Sequence, residues 1–385
     1  MNPEKFRQDF PLTGRGIIYF DNACMSLKPR QVVEAMSDYY LNYPACAGRS
    51  VHRLSAKATE EYSKARQTVA KFVSAKQEEI IFTKNTTESI NLVAKSLELA
   101  GRTSITSDKE HNSNLVPWQL AGNHKVVRTS DDGFDFDDFE SKLGKKTGIV
   151  SVVHTSNIDG TTLPVKEIAK IAHDYGALTM IDAAQSAPHT ELNVRKLGVD
   201  FAAFSGHKML GPSIGVLFGK KEALEQLKPF MTGGDTVSRT TYTTQEFLKP
   251  PEKFEAGLQN YAGAIGLAEA IRYLEKIGMK NIEKHETALN RVITEELEST
   301  VSIIGPSYDK RSGIFPFNIR KTDPGEIAIL LDNQNICVRS GQHCAHSWFS
   351  DRGIKGSVRA STYLYNTEDE CARFASAVKK IERMV

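Results

Sequence analysis

The chain has no run approaching the roughly 20 apolar residues needed to cross a bilayer as a helix, so a helical membrane anchor is not expected. It has little net charge. Lys and Arg number 49 against 47 Asp and Glu, for a formal +2 at pH 7, and the basic residues are spread along the chain. Nucleic acid and acidic membrane surfaces therefore gain no support as partners. Cysteine is sparse: five residues, Cys24, Cys46, Cys337, Cys344 and Cys371, an odd set with no C-x-x-C pair. Such usage argues against a disulfide framework and makes any functional cysteine a reduced thiol. The first residues, MNPEKFRQDFPLTG, carry charges where a signal peptide would have its apolar core, so a cytoplasmic location is the expectation. There is no internal repeat and no low-complexity tract.

What is present is an ordinary globular composition, 40% hydrophobic and 25% charged, over 385 residues. That length has room for more than one core. From about residue 78 to 220, short runs rich in Val, Ile and Phe (EEIIFT, GIVSVVHTS, ALTMIDAAQ, DFAAFSG, IGVLFG) alternate with helical patterns such as TTESINLVAKSLELA and VKEIAKIAHDYG. The alternation predicts an α/β fold with a largely parallel sheet flanked by helices. Pro164 and Gly176 bracket the helix expected at 165–175. The pattern loosens around EFLKPPEKFEAG, and helices are expected at 262–276 and 280–299. The expected organisation is an N-terminal segment (1–17) packing on the small domain, a large ligand-binding domain (18–255) and a small C-terminal α+β domain (256–385).

Ligands of open α/β sheets sit beyond the carboxyl ends of the strands. Here those ends are polar: Thr83-Lys84-Asn85-Thr86-Thr87, His154-Thr155-Ser156-Asn157, Asp182-Ala183-Ala184-Gln185 and Ser205-Gly206-His207-Lys208. Asn85 and Glu88 read as a helix capping box. The same segment offers backbone N–H groups and two hydroxyls at the positive end of a helix, a seat for phosphate. Asp182 ends an apolar strand, where a buried carboxylate needs a cationic partner, although alone it could be a turn residue. Lys208 follows at about the distance of one crossover and one strand. A phosphate seat, a carboxylate, an amide and an amine together match pyridoxal 5′-phosphate, with Lys208 bonding its aldehyde and Asp182 holding the proton on its ring nitrogen.

The runs D-A-A-Q, S-G-H-K, T-x-N-T-T-E and R-S-G-Q-H-C-A resemble class V fold-type I pyridoxal-phosphate enzymes, and more narrowly group II (Suf-type) cysteine desulfurases and selenocysteine lyases. The resemblance extends from IYFDNA to VRASTYLYNT. It implies that Thr86, Thr87, Ser205 and His207 contact the phosphate, that Asn157 and Gln185 flank the phenolic oxygen, and that His111 stacks on the ring and handles protons. It also implies that Arg359, with Arg339 and Asn157 nearby, grips the substrate carboxylate, a task suited to a guanidinium fork. Arg49 and His52 match a segment reaching the partner subunit's site in a homodimer. Cys344 lies in a polar loop with Arg339 and His343 close by, and nearby cations favour the attacking thiolate. Cys24, Cys46, Cys337 and Cys371 read instead as small buried hydrophobes.

The function implied is removal of sulfur from L-cysteine as a persulfide on Cys344, with L-alanine released and the sulfur passed to an acceptor or scaffold protein of iron–sulfur cluster assembly. A selenocysteine lyase, another carbon–sulfur lyase or a non-catalytic assembly partner are the alternatives. A metal site built on His343, Cys344, His346 and Cys337 is disfavoured by its irregular spacing. The chain departs from the family pattern at Gln342, where a histidine is usual, at His346 and Trp348 after the cysteine, and at Leu258, where the family usually carries Thr.

Overall fold

The structure, a computed structural model, describes residues 1–130, 133–320 and 322–385. Two long helices, α1 (Arg30–Asn42) and α2 (Arg53–Phe72), precede the first strand of the main sheet, β1 (Ile80–Thr83). There follow α3 (Thr86–Ser96), β2 (Thr103–Ser107), α4 (Asn112–Ala121), β3 (Asn123–Val127), β4 (Thr147–Val153), α5 (Val165–Asp174), β5 (Leu178–Asp182), β6 (Phe201–Ser205) and β7 (Gly215–Gly219). These seven strands form one sheet in the order β1-β7-β6-β5-β4-β2-β3. Only β7 runs antiparallel to its neighbours, so the carboxyl ends of the other six share one edge. Strands β4, β6 and β7 are buried along their whole length, which explains their uninterrupted apolar sequences.

The helix expected after Pro164 spans Val165–Asp174, and Gly176 takes the left-handed φ of +71° just past its end. Helix α6 (Tyr261–Ile277) buries Ala264, Leu267, Ala268 and Ile271 in the cluster that also holds Val152, Phe204 and Val216 of the main sheet. Its entry is anchored by Glu255, which receives both guanidinium nitrogens of Arg66 at 2.7 Å, the amide of Phe82 at 2.7 Å and the hydroxyl of Tyr62 at 2.9 Å. The Pro-containing stretch before it is thus fixed to β1 and α2.

A second core lies around a four-stranded sheet, β8 (Ser302–Ile303), β9 (Ile314–Asn318), β10 (Arg339–Gly341) and β11 (Ser357–Ser361), in the order β8-β9-β11-β10. Phe315, Phe317 and Val358 meet Leu289 of α7 (Met279–Leu297) and Phe374 of the last long helix, α9 (Glu368–Glu382); α8 (His346–Asp351) follows β10. Among the first residues, Arg7 donates to Glu370 and to the Tyr365 carbonyl, both at 2.8 Å, and Phe10 packs on Tyr365 and Tyr273. The chain then crosses between the two sheets. Tyr19 pairs with Cys337, and the side-chain amide of Asn22 donates to the carbonyl of Ser361 at 2.6 Å.

Gly215, at the start of β7, shows how tightly the sheet edge holds α3. A Cβ there would stand 2.5 Å from Cα and C of Asn85 and closer still to Oγ1 of Thr83. Gly215→Ala should lower stability to urea by roughly 1–3 kcal/mol, the usual range for overpacking, and displace the first turn of α3. An unchanged unfolding midpoint would mean that the edge yields freely.

Candidate active site

One cavity of about 200 Å³ opens at the carboxyl edge of the main sheet. Thr86 and Thr87 come from the first turn of α3, Asp182 and Gln185 from the end of β5, and Ser205, His207 and Lys208 from the turn after β6. His111, Asn157, Arg339, Cys344 and Arg359 complete it. The residues expected in the cavity therefore converge, while Arg49 and His52, expected to reach a partner subunit's site, lie elsewhere. Arg49 pairs with Asp235 at the surface, and His52 caps α2 by accepting the amide of Ser55 at 3.2 Å; neither lines the cavity of its own chain.

At the floor, Asn85 caps α3 by accepting the Glu88 amide at 3.0 Å. The reciprocal half of the expected capping box differs, because the Glu88 carboxylate receives the amide of Lys84 at 3.2 Å. Ser205 Oγ meets Thr86 Oγ1 at 2.6 Å and accepts the Thr86 amide at 2.8 Å, so β6 and the helix terminus are clipped together. Thr87 Oγ1 meets Ser113 Oγ at 2.7 Å.

Asp182 is 4% exposed and accepts the Ala184 amide at 2.9 Å. Burial raises its pKa, and Lys208 only partly opposes this. Burial likewise lowers the pKa of Lys208, favouring the neutral amine. Two side-chain amides beside them are half satisfied. Asn157 donates to the His343 carbonyl and Gln185 to the Ala23 carbonyl, both at 2.7 Å, while Oδ1 of Asn157 and Oε1 of Gln185 are buried without a partner. His111 accepts the Ser113 amide on Nδ1 at 3.0 Å, which leaves the ring proton on Nε2. Burial, then the cations Lys208, Arg359 and Arg339, pushes its pKa down to about 3.

Arg359 is 2% exposed and donates to the Asn157 carbonyl at 2.8 Å. Its nearest carboxylate is Asp21 at 3.8 Å, and its Nε has no partner. Burial draws its pKa down to about 10, so it remains cationic at neutral pH. Cys344 sits on a loop in which His343 and Cys344 both adopt left-handed φ, +49° and +57°. The loop is held from two sides, by Asn157 and by the amide of Asn112, which donates to the Cys344 carbonyl at 2.7 Å.

Two expectations are corrected. His343 was expected to add positive charge beside Cys344, but it is buried against Ser357 Oγ at 2.9 Å, and burial followed by Arg359 and Arg339 pushes its pKa down to about 2. It is neutral, and Arg339 and Arg359 supply the charge. Cys24, Cys46 and Cys337 were expected, with Cys371, to be small buried hydrophobes; only Cys371 is buried, and Cys24 lines the cavity and accepts a hydrogen bond from Arg339 at 2.8 Å. Its only sequence signal was its place in the DNAC run, next to residues that bind the second sheet. Sequence reasoning also missed the support beneath His111. There, Glu110 accepts from Val153 N at 2.9 Å and from Asn114 at 2.7 Å. Among the described residues no group of three or more His, Cys, Asp or Glu is arranged to hold a metal ion.

The neutral His343 has a thermodynamic signature. Its pKa is depressed on folding, so the unfolded chain binds a proton that the folded chain does not, and its contribution to stability rises with pH up to the unfolded value near 6.5. The stability difference between wild type and His343→Gln should shift toward wild type by roughly 1.5 kcal/mol between pH 5 and pH 6.5. Urea unfolding at both pH values checks this, and a pH-independent difference would show that His343 titrates alike in both states.

The chain is similar to known proteins throughout. The Aminotransferase class-V family model matches residues 18–374. A probable cysteine desulfurase of Pyrococcus abyssi is 43% identical over 98% of this chain and 97% of its own length. One of Staphylococcus aureus is 40% identical over 97% and 95%. The apo structure of a cysteine desulfurase from Thermococcus onnurineus superimposes with a TM-score of 0.97 at 43% identity, covering 100% of this chain and 99% of that one. The cysteine desulfurase CsdA of Escherichia coli gives 0.93 at 31% identity, again over 100% and 99%. The chain belongs to the class-V aminotransferases, a family of pyridoxal 5′-phosphate enzymes, and within it to the cysteine desulfurases.

Proposed function

We propose that the chain transfers the sulfur of L-cysteine to Cys344 and releases L-alanine, using pyridoxal 5′-phosphate seated against the carboxyl edge of the main sheet. The observation that carries this reading is the unsatisfied polar inventory of one cavity. Asp182 is a buried carboxylate, Oδ1 of Asn157, Oε1 of Gln185 and Nε of Arg359 are buried without partners, and Lys208 opens onto the same space. Buried polar groups left unpaired cost about 1–3 kcal/mol each, more when charged, so the set is complete only around a polar ligand.

The donor set fits the cofactor. The hydroxyls of Thr86, Thr87 and Ser205, the His207 ring and the amides opening α3 form the phosphate seat. Asn157 and Gln185 each keep a second amide hydrogen for the phenolic oxygen. When bound, the cofactor supplies an aldehyde for a covalent link to Lys208 and a ring that withdraws electrons from the substrate's bonds. Asp182 holds the proton on the ring nitrogen. His111 would offer its Nε2–H to the bound cofactor.

Arg359 grips the substrate carboxylate with its free donors, and Arg339 adds a second cation. The amine of Lys208, held neutral by burial, takes the proton from the substrate's Cα and returns one to Cβ. The Cys344 thiolate attacks the substrate sulfur. The bond from Cβ to sulfur breaks, Cys344 becomes a persulfide, and alanine leaves. The loop geometry keeps Cys344 partly exposed, as onward transfer to a sulfur-acceptor or scaffold protein of iron–sulfur cluster assembly requires. Persulfide chemistry needs reduced thiols, which goes with a cytoplasmic location.

A homodimer completes the reading, in which the segment of Arg49 and His52 would reach the partner subunit's cavity. Val33, Tyr40 and Leu41 of α1 and Val51 are exposed apolar residues that a second copy would cover. Leu258 is largely exposed and offers no hydrogen bond to a partner's phosphate.

Lys208→Ala should lose the visible absorbance of the bound cofactor and lower alanine formation from cysteine by roughly 10²- to 10⁴-fold. Normal turnover by that variant would refute the assignment. Cys344→Ser should keep the absorbance and its change on adding cysteine, yet carry no persulfide by mass spectrometry. A persulfide found on Cys337 in its place would transfer the acceptor role to that residue.

A further inference from the structure

Cys24 is a second thiol in the cavity that the reaction described above does not use. A turn fixes its backbone, since the amides of Cys24 and Met25 donate to the Asp21 carbonyl at 3.1 and 3.2 Å. The preceding amide, of Ala23, donates to Ser361 Oγ at 2.9 Å and ties the turn to β11. Cys24 and Cys344 are both half-buried residues, and both line the cavity of about 200 Å³. A guanidinium has donors only, so in the contact with Arg339 the Cys24 sulfur is the acceptor. Arg339 belongs to β10, the strand that leads directly into the Cys344 loop. Lys208 and Arg359, whose pKa values burial lowers, are each partly restored by both sulfurs, so the two thiols act on the same pair of cations.

We propose that Cys24 is a second sulfur acceptor, taking the outer sulfur from the Cys344 persulfide. The proposal rests on the sulfur transfer to Cys344 proposed above. The Cys24 thiolate attacks the outer sulfur, a new bond forms between that sulfur and Cys24, the sulfur–sulfur bond at Cys344 breaks, and Cys344 leaves as a thiolate. One persulfide and one thiolate enter, and one of each leaves, with no net oxidation. The Cys24 persulfide then lies beside Arg339 and near Arg359, whose buried and unpartnered Nε is free once the substrate carboxylate has gone. The transfer returns Cys344 to its reactive form, so one chain can hold two sulfurs before any acceptor arrives. A thiol that merely tethers Arg339 would change rates without changing that count.

The experiment incubates the holoenzyme with excess sulfur-labelled L-cysteine and no thiol acceptor, quenches by alkylation, counts labelled persulfide sulfur per chain and maps it by mass spectrometry. Wild type should carry two labelled sulfurs, one on Cys24 and one on Cys344. Cys24→Ser should carry one, on Cys344, and Cys344→Ser none on either residue. Label confined to Cys344 in wild type, at the same count as in Cys24→Ser, overturns the relay while leaving the desulfurase reading intact. Label on Cys24 in Cys344→Ser also overturns it, because Cys24 would then accept sulfur independently. Absence of label from both residues in wild type removes the desulfurase reading and the relay with it. The wild-type map alone decides the matter should Cys24→Ser not fold.

Discussion

A carboxylate buried at the end of a sheet strand is the constraint around which this protein is arranged. Asp182 closes β5 with 4% of its surface exposed, and burial raises its pKa because the nearby Lys208 does not fully offset the desolvation. An ion removed from water is costly to keep unless a partner charge and hydrogen bonds compensate it. The chain supplies one amide, from Ala184, and leaves the rest to a ligand. The neighbouring groups share this incompleteness. Lys208 is driven toward its neutral form by the same burial, and two side-chain amides keep an unpaired oxygen. The cavity is thus stable in its shape and unfinished in its polar contacts, the condition in which a cofactor carrying several polar groups binds and is then part of the structure.

The second constraint is the joining of two cores. The carboxyl edge of the main sheet carries Thr86, Asp182, Ser205 and Lys208, and the smaller sheet carries Arg339, Arg359 and the Cys344 loop. Specific hydrogen bonds help to set their relation. Asn157 donates through its amide to the His343 carbonyl, and Arg359 donates through its guanidinium to the Asn157 carbonyl. Asn112 holds the Cys344 carbonyl, and Asn22 ties the first crossing segment to Ser361. The helix start that follows His111 and the loop that carries Cys344 are therefore joined by a backbone hydrogen bond.

Much of this was legible in the sequence. The fully buried strands read as continuous apolar runs because both of their faces are covered, and the polar residues ending those runs converge because parallel strands share one carboxyl edge. Helix α6 falls where the pattern predicts it, but its small apolar residues on most faces do not tell from periodicity alone that it packs deep against the main sheet. His343 and Cys24 were misread because charge and exposure depend on neighbours distant in sequence. Burial, then Arg359 and Arg339, keeps the first neutral, and Arg339 on the second sheet meets the second. Cys24 also follows a two-residue strand, too short to carry a pattern.

The most direct test of the account is the affinity of the apoprotein for pyridoxal 5′-phosphate when Asp182 loses its charge but keeps its shape. In Asp182→Asn the side-chain oxygen can still accept the Ala184 amide, so the cavity should persist. Removing one member of a buried charge pair costs roughly 2–5 kcal/mol, equivalent to about 30-fold or more in affinity. Titration followed by the visible absorbance should show that loss while the urea unfolding of the cofactor-free chain stays near wild type. Wild-type affinity in Asp182→Asn would contradict the claim that the buried carboxylate is the group the cofactor completes.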